Sequence, residues 1–248
     1  MQPTNPLTRL YRISRILIHT NVGLVIAIFV LPFVNKKPKL LLIKWWCEGL
    51  LRAFNIRVTT AGELPLANSE GIMFVANHIS WVDIHALNSL IPLRFIAKSD
   101  IKNWPIFGYL VQKADTLFID RSRRQDAGRI AEITAESLIA GDNLCFFPEG
   151  TTSEGGLVLP FKSSILQAAI NANTHVWPVA IRYINDDGSI NKDMAYAGET
   201  TLMESMNSVL KQKKPLVELH FLQPIHAQGK NRRDLTQLAY DAIVTRLA

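Results

Sequence analysis

VANHISWVDIHAL, residues 75–87, runs from an apolar strand straight into an Asn-His pair and places a carboxylate five residues beyond the histidine. A core strand has no use for imidazole, and a surface turn has no need of Trp81. Residues 72–76 read as a strand, and a helix is expected to begin near Ser80. Asn77 and His78 then fall at a strand's C-terminal end, the edge at which open α/β sheets hold ligands. One helical turn brings Asp83 within reach of His78. A neutral imidazole with one nitrogen bonded to a carboxylate offers the other as a base, and its ordinary pKa of about 6.5 suits that work. The same spacing admits a structural role, because Ser80-x-x-Asp83 resembles a capping box in which Asp83 satisfies helix amides. A metal reading of His78, Asp83 and His85 has no further ligand in the pattern, and no metal is expected.

Downstream, apolar or β-branched runs at 94–97, 116–120, 144–147, 176–183 and 216–222 alternate with helical stretches at 124–140, 161–172 and 232–247. This alternation specifies an α/β domain over residues 56–248, a single layered unit with a largely buried mixed sheet flanked by helices. Residues 184–200, INDDGSINKDMAYAGET, read as a polar loop or lid.

The charge is uneven. Nine of the 27 Lys and Arg residues lie in positions 1–57 against one acid, Glu48, whereas the other 18 are outnumbered by 20 acids. A uniformly basic surface would suit nucleic acid; this asymmetry suits an anionic membrane surface. The uncharged run 22–34 has 13 residues and contains Pro32. As a helix it spans about 20 Å, short of the roughly 30 Å hydrocarbon core. No small-x-small site precedes Lys36, which argues against a cleaved signal. In LLLIKWWCEGLLRAF, residues 40–54, Lys44, Glu48 and Arg52 form a narrow polar stripe, and Trp45 and Trp46 are rings suited to a lipid interface. Residues 1–55 are therefore expected to form a basic, apolar helix pair that dips into one leaflet or packs on the domain core. Cys47 and Cys145 sit in apolar runs without zinc or redox spacing and read as buried thiols.

NHISWVD resembles the NHx4D signature of the glycerolipid acyltransferases, the family that includes the 1-acylglycerol-3-phosphate acyltransferases. Lys98, Ile101, Gly108 and Arg121 fall on the intervals of that family's second block. FFPEGTTS (146–153) matches its third block and VWPVA (176–180) its fourth, in family order. An N-terminal membrane-docking helix pair is common in the family. Two departures bear on the acceptor: Thr152 stands where many members have arginine, and Ser163-Ser164 follow PFK where many have glycine.

The resemblance implies a glycerol-3-phosphate-acyltransferase-like fold. It also implies acyl transfer from acyl-CoA or acyl carrier protein to the sn-2 hydroxyl of lysophosphatidic acid, giving phosphatidic acid. His78 is then the general base and Asp83 its orienting partner. Asn77, Lys98, Arg121, Glu149, Gly150, Thr151 and Pro178 are expected around the substrates. Arg121 and Lys98 would hold phosphate, Glu149 would accept from a glycerol hydroxyl, and Gly150 and Thr151 would present a close backbone turn. Asn77 would fix the turn that holds His78, and Pro178 would shape a strand beside the donor path. No acyl-enzyme is expected, since Ser80 reads as an N-cap and Cys145 as a strand residue. No cofactor beyond the thioester substrate and no nucleic-acid partner are expected. Membrane lipids are expected partners, at the cytoplasmic face of a bacterial inner membrane. Other readings are an acyltransferase for a different lysolipid such as lyso-ornithine lipid, a thioesterase using the same His-Asp pair, and a non-catalytic lipid-binding module.

Overall fold

Residues 4–119 and 126–248 are described by a computed structural model, and among them eight strands form one mixed sheet. The strands are β1 (Arg57–Gly62), β2 (Met73–Ala76), β3 (Arg94–Lys98), β4 (Leu117–Ile119), β5 (Leu144–Phe146), β6 (His175–Ile184), β7 (Leu216–Phe221) and β8 (Ile225–His226). Their order is β1-β7-β6-β2-β5-β3-β4, with β8 also paired to β6. β2 runs parallel to both neighbours, β5 and β6, whereas β7 is antiparallel to β6 and carries β1 parallel beside it. Every residue of β2 is buried. An unbroken MFVA run is what a parallel strand covered on both faces requires.

After β2 the chain crosses by α3 (Val82–Leu90) to β3, continues through α4 (Phe107–Lys113) to β4, and returns through α5 (Asp126–Ile139) to β5, between β2 and β3. It then passes through α6 (Gln167–Asn171) to β6 on the other side of β2. β2 thus stands where the order reverses, and its C-terminal end opens a crevice of the kind that takes ligands. Helix 161–172 is shorter than its apolar pattern implies. Only Gln167–Asn171 is α-helical, because Lys162 N–H is drawn to the Pro148 carbonyl (3.0 Å) and Ser163-Ser164 lead into a turn. β1 was not legible as a strand: RVTTAG is polar and mostly solvent-facing.

α1 (Pro6–Phe29) is capped by Asn5, whose side chain accepts from Thr8 N–H (2.7 Å), with Pro6 in the first turn. Its 24 residues make it about 36 Å long. The segment Pro6–Phe33 is long and apolar enough to cross a membrane by length and composition. It exceeds the 13-residue uncharged run because the helix extends back through Arg9, Arg12 and Arg15. Arg12, Ile16, Gly23 and Ala27 form a buried stripe that lies along the body. Arg12 donates to the carbonyls of Gln212 (2.7 Å) and Lys213 (2.8 Å). The opposite face leaves Leu10, Leu17, Ile18 and Phe29 exposed, and Phe33 is exposed in the turn that follows.

α2 (Lys36–Phe54) ends at Asn55, which takes the left-handed conformation (φ 61°). It packs on α3 through Leu50, Leu51 and Phe54, with Cys47 also buried. Lys36 pairs with the buried Asp142 (2.7 Å), which also holds Arg94 and Ser137. The two tryptophans separate: Trp45 faces outward, but Trp46 turns inward, which corrects the expectation that both meet lipid. Two glycine notches explain this. A Cβ on Gly23 would fall 2.2 Å from Trp46 Nε1, and one on Gly49 2.2 Å from His19 Cε1. The two rings stack, His19 Nε2–H donates to the Trp46 carbonyl (2.8 Å), and Trp46 Nε1–H donates to the His19 carbonyl (3.3 Å). Gly23→Val should expel Trp46 from its notch and lower stability by about 1–3 kcal/mol, as measured by chemical denaturation in detergent.

Candidate active site

Asp83 is completely buried in the first turn of α3 and its carboxylate is fully engaged. Oδ2 accepts from His78 Nδ1–H (2.8 Å) and from the backbone N–H groups of Ile79 (2.7 Å) and Ser80 (2.9 Å). Oδ1 accepts from the hydroxyl of Tyr183 on β6. One carboxylate therefore serves as both the orienting partner and the amide cap, two roles that the spacing alone left as alternatives. The capping box itself does not form, because α3 is capped at Trp81 and without a side-chain bond. With the proton on Nδ1, His78 keeps a lone pair on Nε2. Its ring lies flat on Phe147 (centroids 3.8 Å apart, planes within 8°) and its side chain is 18% exposed.

The third motif block clamps the His78 backbone from both sides. His78 N–H donates to Glu149 Oε1 (2.6 Å), and the His78 carbonyl accepts from Ser153 N–H (2.8 Å) and Ser153 Oγ (3.3 Å). Glu149 Oε2 accepts from Leu159 N–H (3.0 Å). Glu149 is thus a buried brace, each oxygen accepting a backbone amide, and at 4% exposure it is shielded from the glycerol hydroxyl it was expected to accept from. Burial pushes its carboxyl up to about 7, with the charge of Asp83 adding and the two amide bonds opposing. Because its pKa is raised on folding, ionisation of Glu149 costs stability as the pH climbs from about 4.5 through about 7. Chemical denaturation should show this contribution, roughly 2–4 kcal/mol, present at pH 4.5 and lost by pH 8. Glu149→Ala should remove that pH dependence while lowering stability at every pH.

Two further expected substrate residues prove to be scaffold. Asn77 is buried and exchanges two hydrogen bonds with the backbone of Ile181 (2.7 and 3.0 Å), stapling the end of β2 to β6. Pro178 lies inside the sheet beside Val75, where the pairing of β6 changes from β8 to β7. A residue without an N–H fits that gap, and the Pro178 carbonyl accepts from Leu222 N–H (3.0 Å). Gly150 takes φ 77° in a tight turn and donates its N–H to the Phe147 carbonyl (3.1 Å). Thr151 is exposed beside it, and Lys98 ends β3 with an exposed side chain. Arg121 lies outside the described residues.

His78 opens onto a cavity of about 260 Å³ between the N-terminal helices and the crevice, lined by Gly23, Trp46, His85, Phe95, Leu110 and Met206 among others. Thr152, on the same wall, donates its hydroxyl to the Tyr196 carbonyl, and Tyr196 N–H donates to the Ile79 carbonyl (2.9 Å). The 184–200 segment is thereby fastened to the rim. Cys145 is sealed in β5, where burial first and then Asp83 push its thiol far up, which keeps it protonated. The parts played by Tyr183, Phe147 and Ser153 were not foreseen, and His85 had entered only in the metal reading. Tyr183 had one signal, a hydroxyl at the end of the apolar run VWPVAIRY.

Residues 56–182 match the family model described as Acyltransferase. The chain belongs to the acyltransferase family. This acyltransferase is 35% identical over 240 residues to the lyso-ornithine lipid O-acyltransferase of Pseudomonas aeruginosa, covering 94% of this chain and 91% of that protein. It is 37% identical over 175 residues to a 1-acyl-sn-glycerol-3-phosphate acyltransferase of Neisseria gonorrhoeae, covering 71% of this chain and 68% of that one. Its fold is that of the 1-acyl-sn-glycerophosphate acyltransferase PlsC of Thermotoga maritima, with a TM-score of 0.69 at 21% identity over 98% of this chain and 94% of that one.

Proposed function

We propose that this acyltransferase moves a fatty acyl group from a thioester, acyl-CoA or acyl carrier protein, to the free hydroxyl of a lysolipid. The observation that carries the reading is His78, tied to Asp83 through Nδ1 at the wall of an apolar cavity. Nε2 takes the hydroxyl proton as the oxygen attacks the thioester carbon. Asp83 stabilises the imidazolium, the carbon–sulfur bond breaks, and the proton passes to the departing thiolate. No acyl-enzyme enters, in keeping with the sealed Cys145. The apolar cavity suits an acyl chain. The exposed apolar face of α1 and the basic N-terminal segment favour attachment to one leaflet, at the cytoplasmic face.

Lysophosphatidic acid is the acceptor that the motif cations Lys98 and Arg121 suit, with acylation at its sn-2 hydroxyl. A second reading, lyso-ornithine lipid, is favoured by Thr152, whose hydroxyl is committed to the Tyr196 carbonyl at the position where an added cation would serve a phosphate. Thiol release from acyl-CoA by the liposome-supported protein, with and without each lysolipid, tests the function. Release that requires a lysolipid supports acyl transfer and names the acceptor. Release without one would make the protein a thioesterase.

A further inference from the structure

His85 lies two residues beyond Asp83 on α3 and lines the same cavity as His78. Its Nδ1–H donates to the Trp81 carbonyl (2.9 Å), which leaves Nε2 as a lone-pair acceptor with no hydrogen-bond partner among the described residues. The ring packs between Trp81 (5.6 Å, edge-on at 79°) and Trp46 (5.7 Å, tilted by 47°). Burial holds its pKa down to about 4, against smaller upward pulls from the Trp81 carbonyl and Asp83, and the imidazole is neutral at physiological pH. His85 is half-buried, so this neutral acceptor is open to a donor that a ligand brings into the cavity.

The two acceptor lipids differ in this respect. Beside its free hydroxyl, lysophosphatidic acid carries ester and phosphate oxygens but no N–H. Ornithine itself has no hydroxyl, so a lyso-ornithine lipid that is O-acylated must bear the reacting hydroxyl on a chain joined to nitrogen, with an amide N–H close by. We infer that His85 is an acceptor-recognition residue whose Nε2 takes a hydrogen bond from an amide N–H beside the reacting hydroxyl, equipping the enzyme for lysolipids with an amide-linked hydroxyacyl chain. The inference rests on the cavity being the lipid site of the acyl transfer proposed above. An amide N–H also occurs in the pantetheine arm of the donor, and the choice of acceptors separates these sources.

The test is kcat/KM for thiol release from acyl-CoA with an N-(3-hydroxyacyl)ornithine and with lysophosphatidic acid, using wild type, His85→Phe and His85→Gln. His85→Phe keeps an aromatic ring between the tryptophans and removes the acceptor; His85→Gln restores one. The ratio of amide to ester acceptor should fall about tenfold or more in His85→Phe and recover in part in His85→Gln. An unchanged ratio, with both acceptors impaired alike, overturns the inference and assigns the residue to packing or to the donor amide. Wild-type turnover of lysophosphatidic acid with none of the amide lipid overturns it equally. Should His85→Phe fail to fold, as judged by its unfolding midpoint, His85→Leu, which also lacks the acceptor, takes its place: a fall in the ratio there supports the role and an unchanged ratio overturns it. No turnover with either lipid would sink the proposed function itself.

Discussion

Replacing His78 by Ala is expected to lower acceptor-dependent turnover by about 10²- to 10⁴-fold, the usual contribution of a positioned general base. The fold should survive. Asp83 loses one donor of four and keeps the Ile79 and Ser80 amides and the Tyr183 hydroxyl. The clamp from Glu149 and Ser153 acts on the backbone at position 78 and does not need the imidazole. Lipid binding, read by cosedimentation with vesicles, should therefore persist while thiol release collapses. Turnover within a few-fold of wild type would remove His78 from the role of base.

Asp83→Asn should cost a comparable factor, roughly 10²- to 10⁴-fold, and nearly all of it in kcat. The amide oxygen can replace Oδ2 before its three N–H donors, with the amide nitrogen then facing Tyr183, whose hydroxyl can turn to accept. Packing is preserved, but the negative charge that balances the imidazolium is gone. That charge matters only as the proton moves, so KM should hold. In the wild type Tyr183 stays protonated beside Asp83, since burial and then that carboxylate raise the phenol far above its ordinary range, and burial persists in the variant. A rise in KM matching the fall in kcat/KM would instead assign Asp83 to substrate binding.

What could be read without coordinates followed sequence distance. The His78–Asp83 pair is five residues apart, and a strand running into one helical turn determines its geometry. Most strands were legible because buried parallel strands are short apolar runs. Glu149 was placed against a glycerol hydroxyl, whereas Asn77 was read as fixing the turn at His78 and Pro178 as shaping a strand; in the structure all three hold backbone. A buried polar residue at a strand end can face a ligand or a neighbouring strand equally well by pattern. The partners that decide, Ile181 for Asn77 and His78 for Glu149, lie 104 and 71 residues away. Trp46 was misplaced for the same reason: its notch at Gly23 belongs to another helix. The acceptor lone pair of His85 was invisible, because it exists only once the Trp81 carbonyl has taken Nδ1.

The grip of Arg12 on Gln212 and Lys213 spans 200 residues or more. Contacts of that separation form late, since a long loop must close before they repay its entropy. During synthesis α1 therefore emerges long before the carbonyls that will hold its buried stripe exist. In that interval Arg12 lacks the carbonyls that will hold it, and the 24-residue helix has a protein partner only where Gly23 and His19 meet α2. A bilayer is the solvent that tolerates such a helix, and a ribosome working beside one would let the helix wait there. Biogenesis at a membrane is then expected to favour correct folding, and synthesis in lipid-free extract should yield aggregate that liposomes added during translation, but not after it, prevent.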